Sequence, residues 1–462
     1  MTTVEITAGA LRGSGRDGVR TFLGVPYAEP PVGELRFRAP RPAVPWSGER
    51  DATRWAPRAP QPELTGRGFT GDEDCLHLNV YAPAEPGSYP VLVWIHGGGG
   101  VMGAPHQFDA SAYARRGVVV VTVAYRLGVL GMLHLPGVAD SNLSLRDQVA
   151  ALEWVRDNVA AFGGDPDRVT LAGQSNGGRT VGTLLAVPAT RGLVRQAIVQ
   201  SGTGVGSVVH TPAEGAAVAS AVLTELDASP DDLATLSVKR ILEAQQRVSA
   251  ASGTKVTYRV VVGDELLPRR PLDGVRDVRL LIGTTADEED LFSWLQSGGA
   301  KLLGVGSTML DASAVDKAVA AYRELLPDWP EDQVRNRALT AGDWWIPAIR
   351  FAEAQPDAWM YRLDWRIAPR GKGLGAAHGL DLPLMFDDIR NRNWRFLFAG
   401  RTFPAERMQA MATAMFDVWV RFITTGDPGW PRYTTADRVT HLFDDVSTTV
   451  SDPDREQRLL WT

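Results

Sequence analysis

The residues with the clearest chemical potential lie in Val169-Thr170-Leu171-Ala172-Gly173-Gln174-Ser175-Asn176-Gly177-Gly178. A short apolar run reads as a buried strand, it runs into Gly-x-Ser-x-Gly, and a helix should follow. This is the pattern of a nucleophile elbow, a sharp strand-to-helix turn that lifts a serine hydroxyl clear of a sheet. Gly173 and Gly177 suit the close backbone packing of such a turn, where a side chain would clash. The pattern alone fits an ordinary glycine-rich loop equally well, so the rest of the chain has to separate the two.

Acyl transfer by serine needs a base for the hydroxyl proton, an acid that orients the base, and donors for the developing oxyanion. Of seven histidines, His210, His378 and His441 follow Ser175. His378 stands out, because Gly375-Ala376-Ala377-His378-Gly379 is a small-residue turn from which a side chain can reach out of a loop. His210 and His441 have ordinary polar neighbours. Between serine and histidine, Gly283-Thr284-Thr285-Ala286-Asp287-Glu288-Glu289-Asp290 offers consecutive carboxylates just past an apolar run. Their types do not say which one would serve, and a solvated helix start would look the same. Before the elbow, His96-Gly97-Gly98-Gly99 follows another apolar run, and glycine backbone N–H groups can approach a substrate oxygen closely. No lysine–serine or lysine–threonine pair follows it, which argues against a phosphate loop.

These groups need a scaffold. Pro90–Ile95, Gly117–Ala124, Val169–Ala172, Ala197–Gln200 and Leu280–Gly283 read as strands buried on both faces, hence a mostly parallel sheet covered by helices. Glu73–Tyr81 alternates as a half-buried strand would, and Trp359–Trp365 is a further strand. Ser144–Phe162 and Met408–Thr425 have helical apolar spacing. The first 60 residues read as short strands and turns. Residues 205–277 read as loop and helix, and 291–345 as helical with a weaker pattern. The expectation is an α/β fold: a single domain over 1–462 with insertions near 205–275 and 290–345 on one face.

Composition narrows the setting. The chain has 462 residues, is 44% hydrophobic, and carries 48 basic against 54 acidic side chains, a net charge of −6. No basic block stands out, so nucleic acid is not an expected partner. Cys75 is the only cysteine, which excludes an internal disulfide and fits a reducing compartment. The N-terminus shows no basic flank with an apolar run, and the apolar runs are too short to span a bilayer. A cytoplasmic protein without a membrane partner is the expectation.

Taken together, the motifs resemble the type-B carboxylesterase family, which includes cholinesterases, liver carboxylesterases and bacterial p-nitrobenzyl esterases. The resemblance runs from Phe22-Leu23-Gly24-Val25-Pro26-Tyr27-Ala28 through Glu73-Asp74-Cys75-Leu76, His96–Gly99, Tyr125-Arg126-Leu127-Gly128, Phe162-Gly163-Gly164-Asp165-Pro166, the elbow, Gln200-Ser201-Gly202 and the acid turn to His378-Gly379-Leu380-Asp381-Leu382-Pro383 and Trp430-Pro431-Arg432-Tyr433. It implies an α/β-hydrolase fold and hydrolysis of small carboxylic esters through an acyl-enzyme. Carbamates, amides, thioesters and lactones are cleaved by the same parts, and a non-catalytic binding protein is the contrasting class. It implies Ser175 as nucleophile, Glu288 as acid and His378 as base, with Gly98, Gly99 and the N–H of Asn176 as the oxyanion hole. It makes Ser201 a second serine that supports the triad by hydrogen bonding. No metal or cofactor is implied, and nothing indicates an oligomeric state.

The departures from the family pattern lie at the site. Asn176 stands where alanine is usual. Gly100 stands where a bulky aromatic is common, which predicts a wider pocket. Arg179 sits one helical turn beyond Ser175 in a place for small or apolar residues. A buried guanidinium there calls for an ion-pair partner, and the competing reading is a role with acidic substrates. Glu289 replaces a common glycine. Trp344 and Trp345 are candidates for the pocket wall, with at least one expected in the core.

Overall fold

The computed structural model describes the chain except for residues 64–67, 275–277, 298–307, 368–373 and 395–404. A large sheet organises it. In sheet order its strands are Thr2–Ile6, Gly9–Arg16, Val19–Pro26, His77–Pro83, Val119–Val123, Tyr89–Ile95, Gly164–Gln174, Gln196–Gln200, Arg279–Thr285, Ala358–Leu363, Val439–Phe443 and Thr448–Ser451, and Glu49–Asp51 pairs with the second of them. Every pairing from Val119–Val123 to Val439–Phe443 is parallel, and the pairings outside that stretch in the main sequence of strands are antiparallel.

The continuous apolar runs are explained by coverage on both faces. Val91, Val93 and Ile95 join one core with Leu171, Val199 and Ile282, while Leu92 and Trp94 join a second core with Ala172, Ile198 and Leu281. Helix Leu143–Asn158 closes the first face with Leu145, Val149, Leu152 and Val155, and a tighter turn at Val159–Phe162 extends it. Helix Ala405–Thr425 closes the other with Met411, Met415, Trp419 and Phe422. Period-two alternation within each strand thus sends successive side chains into two different cores, and neither face is left for water.

One strand departs from its sequence reading. The alternation in Glu73–Tyr81 predicts a half-buried strand, but the strand is His77–Pro83 and all of it is buried. Asn79 within it is bonded internally instead of wetted: it accepts from the Gly24 N–H and donates to Thr122 Oγ1, both at 3.0 Å. Glu73 lies outside the strand and pairs with Arg36 at 2.5 Å.

Parallel connectivity puts the functional segments at one sheet edge. The turn at His96–Gly100, the Ser175 turn, Ser201 and the Asp287–Asp290 turn each follow the C-terminal end of a neighbouring parallel strand, where open α/β sheets form their crevices. The segments 205–275 and 290–345 supply helices Pro212–Leu226, Val238–Ser252, Ala312–Leu325 and Glu331–Thr340.

Candidate active site

Strand Gly164–Gln174 ends at Ser175, and helix Asn176–Leu184 starts at once. Ser175 has φ 58° and ψ −125°, a conformation that costs a non-glycine residue about 1–3 kcal/mol. The surroundings hold it there. The Ser175 N–H donates to Gln200 O at 2.9 Å, and the Arg179 N–H to Ser175 O at 2.9 Å. The glycines are sterically required: a Cβ on Gly177 would stand 2.1 Å from Ile95 O, and one on Gly173 2.6 Å from the Gly177 carbonyl carbon. Beside the serine, Gly98 (φ 112°) and Gly99 (φ 66°) turn their backbone in a way that leaves both N–H groups, like that of Asn176 at the helix start, without a described acceptor. The Tyr125 hydroxyl fixes this turn by donating to His96 O at 2.6 Å, its ring stacked on His96 at 4.4 Å.

The acid turn distributes its carboxylates among different partners. Asp287 accepts from Arg366 Nε at 2.6 Å and from the Ala376 N–H at 3.0 Å, which ties the turn to the loop carrying His378. Glu288 is fully buried; its Oε2 lies 2.5 Å from His378 Nδ1, and its Oε1 accepts from the Thr285 N–H at 2.8 Å. Glu289 pairs with Lys255 at 2.5 Å. Asp290 accepts from Asn336 Nδ2 at 2.9 Å. The other ring nitrogen of His378 is 3.3 Å from Gln174 Nε2. The Ser175 hydroxyl, only half-buried, bonds to no described residue, as serines awaiting a substrate often do.

The sequence pattern of the carboxylesterase family matches residues 1–458. The chain belongs to that family. It is 36% identical to the para-nitrobenzyl esterase of Bacillus subtilis (strain 168) over 97% of this chain and 96% of that protein. It is 33% identical to the phenmedipham hydrolase of Pseudarthrobacter oxydans over 92% of each. The solved carboxylesterase of Geobacillus stearothermophilus superposes with a TM-score of 0.85 at 34% identity, covering all of both chains. The protein is therefore an α/β-hydrolase-fold serine esterase that hydrolyses carboxylic esters.

Within this esterase the unusual residues resolve into specific contacts. Gly100 does not widen the site: a Cβ there would stand 2.9 Å from Met132 Cε and 3.1 Å from Asn176 Oδ1, so those two side chains already fill the space. Asn176 turns its carbonyl oxygen to Arg179 Nη2. Arg179 is buried but finds no ion-pair partner among the described residues, contrary to the pairing its burial calls for. Burial and then the charge of Arg259 lower its pKa to about 9. The buried Ser201 hydroxyl likewise has no partner, so the hydrogen bond expected of it is not made here; only its backbone N–H bonds, to Gly283 O at 2.8 Å. Trp344 and Trp345 separate. Trp345 belongs to the core on one sheet face, whereas Trp344 lies 5.6 Å from the His378 ring and 5.5 Å from that of Phe292. A π-helical turn, Ala341–Trp345, presents Asp343 and Trp344 together.

Several groups carry no signal in the sequence. Gln174 abuts His378, and the Phe292 ring lies tilted against it with centroids 5.3 Å apart. Asp381, one turn past His378, is fully buried and accepts from Gln200 Nε2 at 2.6 Å; Gln200 in turn accepts from Trp419 Nε1 at 3.0 Å. Burial, with Glu288 adding to it, pushes the Asp381 carboxyl up to about 6. Lys255, from the 205–275 segment, is buried between Glu289 and Asp343. Gln174, Gln200 and Asp381 lie within the sequence motifs, and nothing in their types marks them as partners of the site.

Proposed function

We propose that Ser175 is the nucleophile of this esterase, His378 its base and Glu288 the acid that holds the imidazole. The N–H groups of Gly98, Gly99 and Asn176 receive the oxyanion. His378 takes the hydroxyl proton as Ser175 attacks the ester carbonyl, then passes it to the departing alcohol. It next draws a proton from water, which frees the acid from Ser175. Glu288 stabilises the imidazolium formed in each half-reaction. The observation that carries this reading is the 2.5 Å contact of a fully buried Glu288 with His378 Nδ1, which commits that nitrogen and leaves proton exchange with Ser175 to Nε2. Three backbone N–H groups without an acceptor among the described residues, two of them in the glycine turn and one following the strained serine, support the oxyanion assignment.

Within this reading residues 1–462 form one domain, and the segments near 205–275 and 290–345 wall the pocket. Support comes from Lys255, Phe292 and Trp344, which bring both segments against His378. The substrate is a small ester, with no nucleic-acid or membrane partner. The site of action is the cytoplasm, in keeping with the free and buried thiol of Cys75. No helix among the described residues is long and apolar enough to cross a membrane.

Ser175→Ala is expected to lower turnover of a short p-nitrophenyl ester by at least roughly 10⁴-fold while the fold is kept. A fluorophosphonate probe should label the parent at Ser175 and leave the variant unlabelled. Undiminished turnover in the variant would overturn the assignment.

A further inference from the structure

Five arginines are buried among the described residues: Arg126, Arg179, Arg337, Arg362 and Arg458. Four are neutralised within the chain. Arg126 pairs with Asp147 at 2.6 Å, Arg337 with Asp454 at 2.7 Å, Arg362 with Asp364 and Asp454 at 2.5 Å, and Arg458 with Asp452 at 2.7 Å. Arg179, 6% exposed, is the exception. Its Nη2 donates to Asn176 Oδ1, a neutral acceptor, and its buried Nη1 has no partner. The charge nearest to it in effect is another cation, Arg259. Arg259 spends its Nε on Val256 O and its Nη2 on Thr254 Oγ1, and the exposed carboxylate that acts on it, Glu214, forms no ion pair with Arg179. His210 is adjacent to both and stays neutral near pH 7, pushed down to about 4 by burial and then by Arg259.

The position of this charge is as telling as its isolation. Arg179 lies one turn along the helix that begins at Ser175. Through Asn176 its guanidinium is linked to the residue whose N–H belongs to the oxyanion donors. The Asn176 oxygen it holds lies against Gly100, next to the other two donors. A buried, uncompensated guanidinium is unfavourable in the free protein. An incoming carboxylate would supply the missing partner, and its two oxygens match the planar fork of arginine.

We infer that this esterase is built for esters that retain a free carboxylate, which Arg179 receives beside the oxyanion donors. The inference rests on the reading of Ser175 as nucleophile. The carboxylate can sit on the acyl side or on the alcohol side of the scissile bond, and the two are separable by substrate choice. Monoethyl adipate carries it on the acyl side, with ethyl hexanoate as the uncharged counterpart. The butanoyl ester of γ-hydroxybutyrate carries it on the alcohol side, with butyl butanoate as counterpart.

The measurement is the ratio of kcat/KM for each charged ester to that of its uncharged counterpart. In the parent enzyme one of the two ratios should exceed about 10, and Arg179→Met should lower that ratio by about 10- to 100-fold, mainly through KM. Arg179→Lys, which keeps a point charge without the fork, should recover part of it. The parent measurement needs no variant to fold. No preference for either charged ester, including failure to turn both over, overturns the inference, as does a ratio that Arg179→Met does not move. Fluorophosphonate labelling in parallel separates the two levels. A parent labelled at Ser175 without charge preference sinks this inference alone, whereas an active parent that is not labelled there sinks the reading beneath it.

Discussion

Lys255 and Arg179 are both buried cations, one against the rings that touch His378 and the other bonded to the residue after Ser175, and the fold surrounds them in opposite ways. Lys255 Nζ lies 2.5 Å from Glu289 Oε2 and 2.8 Å from Asp343 Oδ2, and it packs over the Trp344 and Phe292 rings at 4.2 and 4.9 Å. Asp343 is held further by Thr308 Oγ1 and the Met309 N–H, both at 3.1 Å. Two carboxylates therefore face one ammonium, and the rings they fix are those that touch His378. Arg179 has an amide oxygen and a neighbouring cation. A cation whose partners are all inside the chain holds structure together. One left without such a partner, one helical turn from Ser175, is the one our inference gives to a group that arrives from outside. The difference assigns Lys255 to the architecture of the site and Arg179 to what the site accepts.

Stability measurements can break this contrast. Lys255→Met strands Glu289 and Asp343 in a buried place with no counter-charge, and the protein should lose about 3–5 kcal/mol in urea denaturation. A loss under about 1 kcal/mol would mean that the three groups do not act as a unit. Arg179→Met removes an uncompensated charge and forfeits one hydrogen bond to Asn176. The two effects oppose each other, so the same experiment should show no loss beyond about 1 kcal/mol. A loss matching that of Lys255→Met would show that Arg179 is as much a part of the architecture as Lys255, and the contrast would fall.

The two cations were not equally legible. Arg179 announces itself, because a charge one turn past an elbow serine departs from a strongly patterned helix start. Its burial without a partner could be learned only from the folded chain. Lys255 sits in a polar stretch with no periodicity, and its partners Glu289 and Asp343 are distant in sequence, so nothing local pointed to it. The same division runs through the fold. Strands buried on both faces were readable from continuous apolar runs such as Pro90–Ile95. The last two strands at that end of the sheet, Val439–Phe443 and Thr448–Ser451, were not, since short segments acquire their pairing from the sheet. Among the acid-turn carboxylates, residue types left the choice open and only the family pattern pointed to Glu288. The three-dimensional partners then differ for each: Arg366 for Asp287, His378 for Glu288, Lys255 for Glu289 and Asn336 for Asp290.

An effect that appears only as pH changes tests whether the Lys255 cluster is over-supplied with negative charge. Burial raises the Glu289 carboxyl to about 7, with Lys255 opposing the rise and Asp343 adding to it. The folded protein thus holds this proton more tightly than the unfolded chain, where the group titrates near 4.5. Its contribution favours the fold at low pH and is withdrawn as pH rises from about 4.5 to about 7, by at most roughly 1.4 kcal/mol per unit. Glu289→Gln keeps the shape and cannot ionise. The variant should match the parent near pH 4.5 and gain on it steadily up to pH 7, with the difference level beyond that. Urea denaturation of both proteins across this range reads the difference directly, because groups common to the two cancel. If the parent instead gains on the variant as pH rises, attraction to Lys255 outweighs burial and repulsion by Asp343. The cluster would then be a balanced ion pair, and the contrast with Arg179 would be wider than drawn above.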